Sequence, residues 1–168
     1  MKLVAPTKEF EQSWKEALAE FQAEGRKGFW NWEKEPTDLE EYILLTSQNS
    51  RGENVPDGWV PSSTFWLIDD GEFIGHTNIR HSLNDFLKQI GGHIGYYIRP
   101  SARGKGYGTK ILELALIEAK KIGIKKALVS CNEDNLASRK VIEKNNGKLL
   151  EKALNNGEPI LKFSIELS

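Results

Sequence analysis

The residues best suited to chemistry stand in one stretch, Tyr97-Ile98-Arg99-Pro100-Ser101-Ala102-Arg103-Gly104-Lys105-Gly106-Tyr107-Gly108. Three glycines alternate with larger residues behind two arginines. A strand-like segment, 93–99, precedes them and Pro100 stops it. An apolar stripe at helical spacing follows, with Ile111, Ala115, Ala119 and Ile122 widened by Leu112 and Leu116. Lys120 and Lys121 fall in its last turn, and Gly123 ends it. The glycines therefore lie between a strand end and a helix start. There, unpaired backbone N–H groups and the helix dipole attract an anion, and a residue without Cβ lets a phosphate approach the chain. The phosphate loop of nucleoside triphosphatases, G-x-x-x-x-G-K-[ST], is absent. The dinucleotide fingerprint G-x-G-x-x-G is not matched by Gly104, Gly106 and Gly108. Glu133 stands roughly where a ribose-binding acid would, but too little chain follows the loop for a second nucleotide-binding half.

The elements that must position this loop follow from patterning. Thr7 can cap a helix whose stripe is Phe10, Trp14, Ala17, Leu18 and Phe21, ended by Gly25. Phe29-Trp30-Asn31-Trp32 follows. Thr37 and Glu40 form a capping box for a second helix to about Ser47, with Leu39, Tyr42, Ile43 and Thr46 inward. An irregular stretch, 48–63, holds Trp59. A hairpin over 64–80 turns at Asp70-Gly71, and a short loop or single turn covers 81–88. Gly91 and Gly92 open the central strand. A strand over 126–131 leads to a helix that begins after Asn135. A last hairpin, over 148–154 and 159–165, turns at Asn155-Asn156-Gly157. The order predicts an α/β fold: one mostly antiparallel mixed sheet with helices on both faces, in a single domain over 1–168.

Bulk properties narrow the class. With 168 residues and net charge −1, the chain carries no electrostatic footprint for nucleic acid or an anionic membrane. No apolar run reaches the ~18 residues of a membrane span. Met1 to Pro6 contain no signal-peptide core, and the single Cys131 fits a reducing, cytoplasmic setting. Three histidines and one cysteine make a metal cluster an unfavoured reading.

Arg103-x-x-Gly106-x-Gly108, after Arg99-Pro100, resembles the [QR]-x-x-G-x-[GA] pyrophosphate loop of the GNAT acetyltransferases. Asn135-Leu136-Ala137-Ser138-Arg139-Lys140-Val141-Ile142-Glu143-Lys144-Asn145-Asn146-Gly147 is similar to the family's second mark, an Asn-led helix ending in E-K-x-G. The resemblance covers about 65–147. It implies a GNAT-like sheet whose first strand would lie near Leu3 to Pro6. It also implies transfer of an acetyl group from acetyl-CoA, as cosubstrate and without metal, to a primary amine of a small molecule or peptide by direct attack. A homodimer stays open.

By the same resemblance, the pyrophosphate would sit on the N–H groups of Arg103, Gly104, Lys105, Gly106, Tyr107 and Gly108. The pantetheine would run beside Tyr97 and Ile98 like an added strand. A β-branched side chain at Gly106 or Gly108 is expected to block that approach with little loss of fold. Asn135 would hold the pantetheine or simply cap its helix. Ser138 and Lys140 join the coenzyme side, although Lys105 and Lys140 also read as solvated lysines. Many members carry a tyrosine seven residues after the Asn as general acid. That position is Ile142 here, so Tyr96, Tyr97 and Cys131 become candidates, and a non-catalytic acetyl-CoA sensor becomes the rival reading. His93 and His81 are the candidate proton acceptors from the amine. Trp59, Arg80 and Asn84 are the candidate acceptor-binding residues, with Trp30 and Trp32 as a further wall.

Overall fold

The computed structural model describes residues 1–25 and 38–167. Strand β1 (Lys2–Val4) pairs with β2 (Ser62–Asp69), β2 with β3 (Glu72–Arg80), and β3 with β4 (Ile94–Ile98). A second sheet consists of β5 (Lys126–Asn132), β6 (Lys148–Asn155) and β7 (Glu158–Glu166), with β7 in the middle. The short strand β1 stands where the resemblance implied one. Every ladder within these sheets is antiparallel. The single mixed sheet of the sequence reading is thus two sheets, of four and three strands.

Alternation along the strands decides which helix covers which face. Trp66, Ile68 and Phe73 face helices α1 (Glu11–Glu24) and α2 (Leu39–Ser50), where Trp14 stacks on Trp66 at 5.9 Å between ring centroids. Leu67 and Ile74 face the opposite way, onto Ile111 of α3 (Tyr107–Lys121). Further along α3, Leu112 and Ala115 join Val129 and Phe163 of the second sheet in one core. Helix α4 (Leu136–Lys144) adds Ile142 to that core.

Local signals act where expected, with two shifts. Thr7 caps a short 3₁₀ turn and α1 begins at Glu11. Asp38 caps α2, its Oδ1 accepting the Glu40 N–H at 2.8 Å. Thr37, Trp30 and Trp32 lie outside the described residues. Asp70 and Gly71, at φ 48° and 80°, give the left-handed pair that a tight hairpin turn requires. Ile142 is fully buried, and a Cβ on Gly147 would stand 2.4 Å from its Cγ2. Ile142 is therefore a packing residue with no part in proton transfer.

Candidate active site

The two sheets meet at one joint. Gly92 bridges Val129, and the His93 N–H donates to the Leu128 carbonyl at 2.7 Å. The next rung of the ladder is made by a side chain: His93 Nδ1 accepts the Leu128 N–H at 2.9 Å. From the other side, Arg80 Nη1 donates to the carbonyls of Gly91 (3.3 Å) and Gly92 (3.0 Å), and the Ser130 hydroxyl donates to the Ile90 carbonyl. Gly92 adopts φ 66° and ψ −169°, and a Cβ there would lie 2.4 Å from the Leu128 oxygen. Only glycine allows this approach.

Beyond the joint, β4 and β5 have no ladder with each other. The gap is a cleft of about 810 Å³ lined by Gly95, Tyr96 and Tyr97 of β4, by Ser130 and Cys131 of β5, and by Asn135 and Ser138. The outer edge of β4 faces it, so backbone donors and acceptors are offered as they are at a sheet edge. Within the cleft the Tyr96 hydroxyl and the Ser138 hydroxyl are 2.8 Å apart. Burial pushes the Tyr96 phenol up, against the hydrogen bond to Ser138, so it keeps its proton at neutral pH. Burial likewise pushes the Cys131 thiol up to about 11.

The glycine loop lies at the N-terminus of α3. Gly104 and Gly106 hold φ 76° and 86°, and a Cβ on either meets nothing within 4 Å. Gly104, Lys105 and Gly106 are exposed, and no protein acceptor among the described residues takes their N–H groups. These features fit a pyrophosphate resting on the backbone. Gly108 is different. It lies inside α3, and a Cβ there would stand 3.0 Å from Val141 Cγ2. The missing Cβ lets α3 lie close to Val141 of α4, so a β-branched residue would press on that packing, contrary to the expected small loss of fold.

The loop is fastened from behind by α1. Glu20 accepts from Arg99 Nε (3.0 Å) and from the Ser101 N–H (3.0 Å) and hydroxyl (2.9 Å). Glu24 accepts from Arg103 Nη2 (2.9 Å), and Arg103 Nε donates to the Ile98 carbonyl (3.1 Å). Arg103 thus shapes the loop and does not extend a bare cation toward a ligand. Tyr107 likewise donates its hydroxyl to Asp69 at 2.9 Å, and Lys105 Nζ donates to the Ser101 carbonyl at 3.0 Å.

Burial pushes the Glu20 carboxyl up, but its hydrogen bonds from Arg99 and Ser101 outweigh this and hold it at about 2, against an ordinary 4.5. The stabilisation is therefore complete above about pH 4.5 and is lost as the pH falls toward 2. Glu20→Gln should cost about 2–3 kcal/mol at pH 7, because it weakens the pairing of Arg99, which is 7% exposed. Urea unfolding followed against pH should show a flattened acid limb in the variant. An unchanged limb would remove Glu20 from the acid response.

The remaining expected site residues divide clearly. Tyr97, Arg80, Asn135 and Ser138 line the cleft, whereas Ile98 is not among its lining residues. Asn135 caps α4, its Oδ1 accepting the Ser138 N–H at 3.0 Å. Lys140 is exposed on α4, outside the cleft. Trp59, Arg80 and Asn84 come together around a second cleft of about 490 Å³. His81 and His93 line neither cleft. The His93 Nδ1 lone pair is spent on Leu128, so the neutral ring carries its proton on Nε2 and has no second lone pair. Burial first, then the charge of Arg80, lowers its pKa further. His93 is a joint residue, and the expectation that it accepts a proton does not fit this bonding. His81 Nε2 lies 2.8 Å from the Ser63 hydroxyl, and burial lowers its pKa. Asn78, Phe86 and Asn155 line the second cleft and escaped the sequence reading. No local pattern marks them, since they gather only when β3, the 81–88 segment and β6 come together.

Residues 9–148 match the family described as the acetyltransferase (GNAT) domain, and the chain belongs to that family. Its enzyme class is that of an acetyl-CoA-dependent acetyltransferase. No curated protein matches it by sequence. Solved structures share the fold. An N-acetyltransferase from Staphylococcus aureus aligns with TM-score 0.69 at 20% identity, over 99% of this chain and 98% of that one. RimL, a ribosomal L7/L12 alpha-N-protein acetyltransferase in complex with coenzyme A, aligns with TM-score 0.68 at 18% identity, over 98% and 92%. The microcin C7 self-immunity acetyltransferase MccE, in complex with acetyl-CoA and AMP, aligns with TM-score 0.70 at 16% identity, over 98% and 91%. Among the described residues no helix is long and apolar enough to cross a membrane, and no three His, Cys, Asp or Glu side chains gather as a metal site would require.

Proposed function

We propose that this chain, acting as one domain, catalyses N-acetylation of a primary amine of a small molecule or peptide by direct attack on the thioester. The observation that carries the reading is the gap between β4 and β5, with the Gly104–Gly106 backbone at the head of α3. When bound, acetyl-CoA supplies an activated acyl group that needs positioning more than activation. The loop N–H groups hold the phosphates, the free edge of β4 orients the arm, and a β4 N–H near Tyr97 polarises the carbonyl. Tyr96 and Ser138 form a protonated hydroxyl pair beside the same edge, and they supply the proton for the departing thiol. Neither histidine serves as the base, so the amine loses its proton to solvent at the mouth of the second cleft. A sensor without turnover has no observation in its favour, since the hydroxyl pair answers the absence of a tyrosine at position 142. The reducing, cytoplasmic setting and a homodimer stay part of the proposal.

Thermal shift should show stabilisation by coenzyme A and none by NAD, ~2.7 kcal/mol at 100 times the dissociation constant. An amine panel read as free thiol release should show turnover. Tyr96→Phe should bind coenzyme A normally and lower turnover by ~10²-fold, at the low end for loss of a general acid. Full turnover in that variant would take the acid role away from Tyr96.

A further inference from the structure

The second cleft shares Arg80 and Asn155 with the coenzyme gap, so the two adjoin. Among the described residues, four asparagines line it. Three of them are accounted for. Asn84 is committed at both ends, its Nδ2 donating to the Gly58 carbonyl and its Oδ1 accepting the Leu87 N–H, each at 2.9 Å. Asn155 is half-buried and Asn156 exposed, so water reaches their amides. Asn78 differs, since it is 5% exposed.

The hydrogen bonds around Asn78 fix which way its amide faces. The Ser62 backbone N–H can only donate, and it meets Asn49 at 2.8 Å, so Asn49 presents its Oδ1 there. The Ser62 hydroxyl gives its one proton to that same oxygen at 3.1 Å. Ser62 Oγ is then left as an acceptor, and Asn78 must turn its amide nitrogen toward it. Asn78 Nδ2 donates to Ser62 Oγ at 2.9 Å and to Thr64 Oγ1 at 3.1 Å, which uses both of its protons. Both partners belong to β2, so Asn78 Oδ1 points away from β2. No described residue donates to that oxygen. On the other side of β3 runs β4, where Gly95 stands opposite Asn78 and lines the coenzyme gap. Opposite residues of a ladder share a face, and Gly95 brings no side chain to it. The oxygen thus lies one strand from the edge along which the thioester would run.

A buried carbonyl oxygen without a donor costs free energy, which a ligand that donates to it recovers. This one is neutral, accepts only, and is held in one orientation through Ser62 and Asn49. Around it, Trp59 (64% exposed), Val60 and Leu87 offer apolar surface. We propose that Asn78 Oδ1 holds the acyl acceptor by accepting a hydrogen bond from its amine, with the acceptor's apolar body against Trp59 and Leu87. This rests on the acetyltransferase reading above and adds the residue that orients the attacking nitrogen. A primary amine suits the contact. The nitrogen–carbon bond forms, the carbon–sulfur bond breaks, one proton leaves the nitrogen for solvent and one reaches the sulfur. The product amide keeps one N–H on Asn78, whereas the product of a secondary amine keeps none.

The test is a calorimetric titration of the coenzyme A-saturated protein with three ligands that share one apolar body. Phenethylamine donates from nitrogen, phenethyl alcohol donates from oxygen without charge, and phenethyl fluoride donates nothing. The amine and the alcohol should each bind about fivefold or more tighter than the fluoride, the usual worth of one hydrogen bond. Asn78→Asp keeps the shape of the side chain, and the hydroxyls of Ser62 and Thr64 can turn to donate to it. A carboxylate there should tighten the amine by about tenfold and leave the fluoride within about twofold. Equal binding of the alcohol and the fluoride to the parent would overturn the proposal, because the oxygen would then serve water alone. So would a folded Asn78→Asp protein in which all three affinities move together, the mark of a purely structural role, or no binding of any of the three. The ranking in the parent decides the matter if Asn78→Asp does not fold. Phenethylamine that ranks as expected but is never acetylated would sink the acetyltransferase reading and leave the Asn78 contact standing. If coenzyme A fails to bind, that reading fails as well, and the same titration of the protein alone still reports the ranking.

Discussion

Gly106→Val should lose coenzyme A affinity by ~100-fold or more, equivalent to about 2.8 kcal/mol of binding free energy. Gly106 caps α3 at φ 86°, a conformation that a β-branched residue adopts only with strain. A Cβ on Gly106 meets nothing within 4 Å, and the residue is exposed, so the core does not suffer directly. The loss falls on the ligand. The side chain projects from a loop whose N–H groups are turned outward, and the backbone relaxes away from the left-handed region that aims them. Calorimetry with coenzyme A, paired with a melting curve, separates the two effects. A folded variant that binds as tightly as the parent would show that the pyrophosphate rests elsewhere.

Gly92→Ala should be among the most damaging single substitutions in the chain, costing about 3 kcal/mol or more in chemical unfolding. The added Cβ meets the Leu128 oxygen at 2.4 Å and its carbonyl carbon at 2.8 Å, and backbone cannot step aside as a flexible side chain could. The positive φ adds its own strain. Relief would require β4 and β5 to separate at the joint, breaking the His93–Leu128 pair and loosening the Gly92 carbonyl that Arg80 holds. Turnover should fall together with stability, because the joint sets the width of the coenzyme gap. A melting temperature within a degree of the parent would mean that the joint is softer than its bonding implies.

The sequence by itself determined most elements and the coenzyme loop, because those signals are local. Apolar stripes, the Asp70-Gly71 turn, the Asn135 cap and the spacing of Arg103, Gly106 and Gly108 all act within a few residues of themselves. The same locality explains why the helices and hairpins fall close to their expected places. Only the tertiary structure decided what depends on residues far apart in the chain. Strand β7 lies between β5 and β6, an order that no periodicity encodes. His93 looked like a base because histidine titrates near neutrality, yet a backbone N–H thirty-five positions away claims its nitrogen. Gly108 looked open to a larger side chain until Val141 of the facing helix appeared beside it. Nothing local marks the partner of the Arg103 guanidinium, which Glu24 takes from a helix packed behind the loop. Residue type and spacing fix what a side chain is able to do. Which partner reaches it first is settled by packing, and packing is the sum of contacts that a linear reading cannot see.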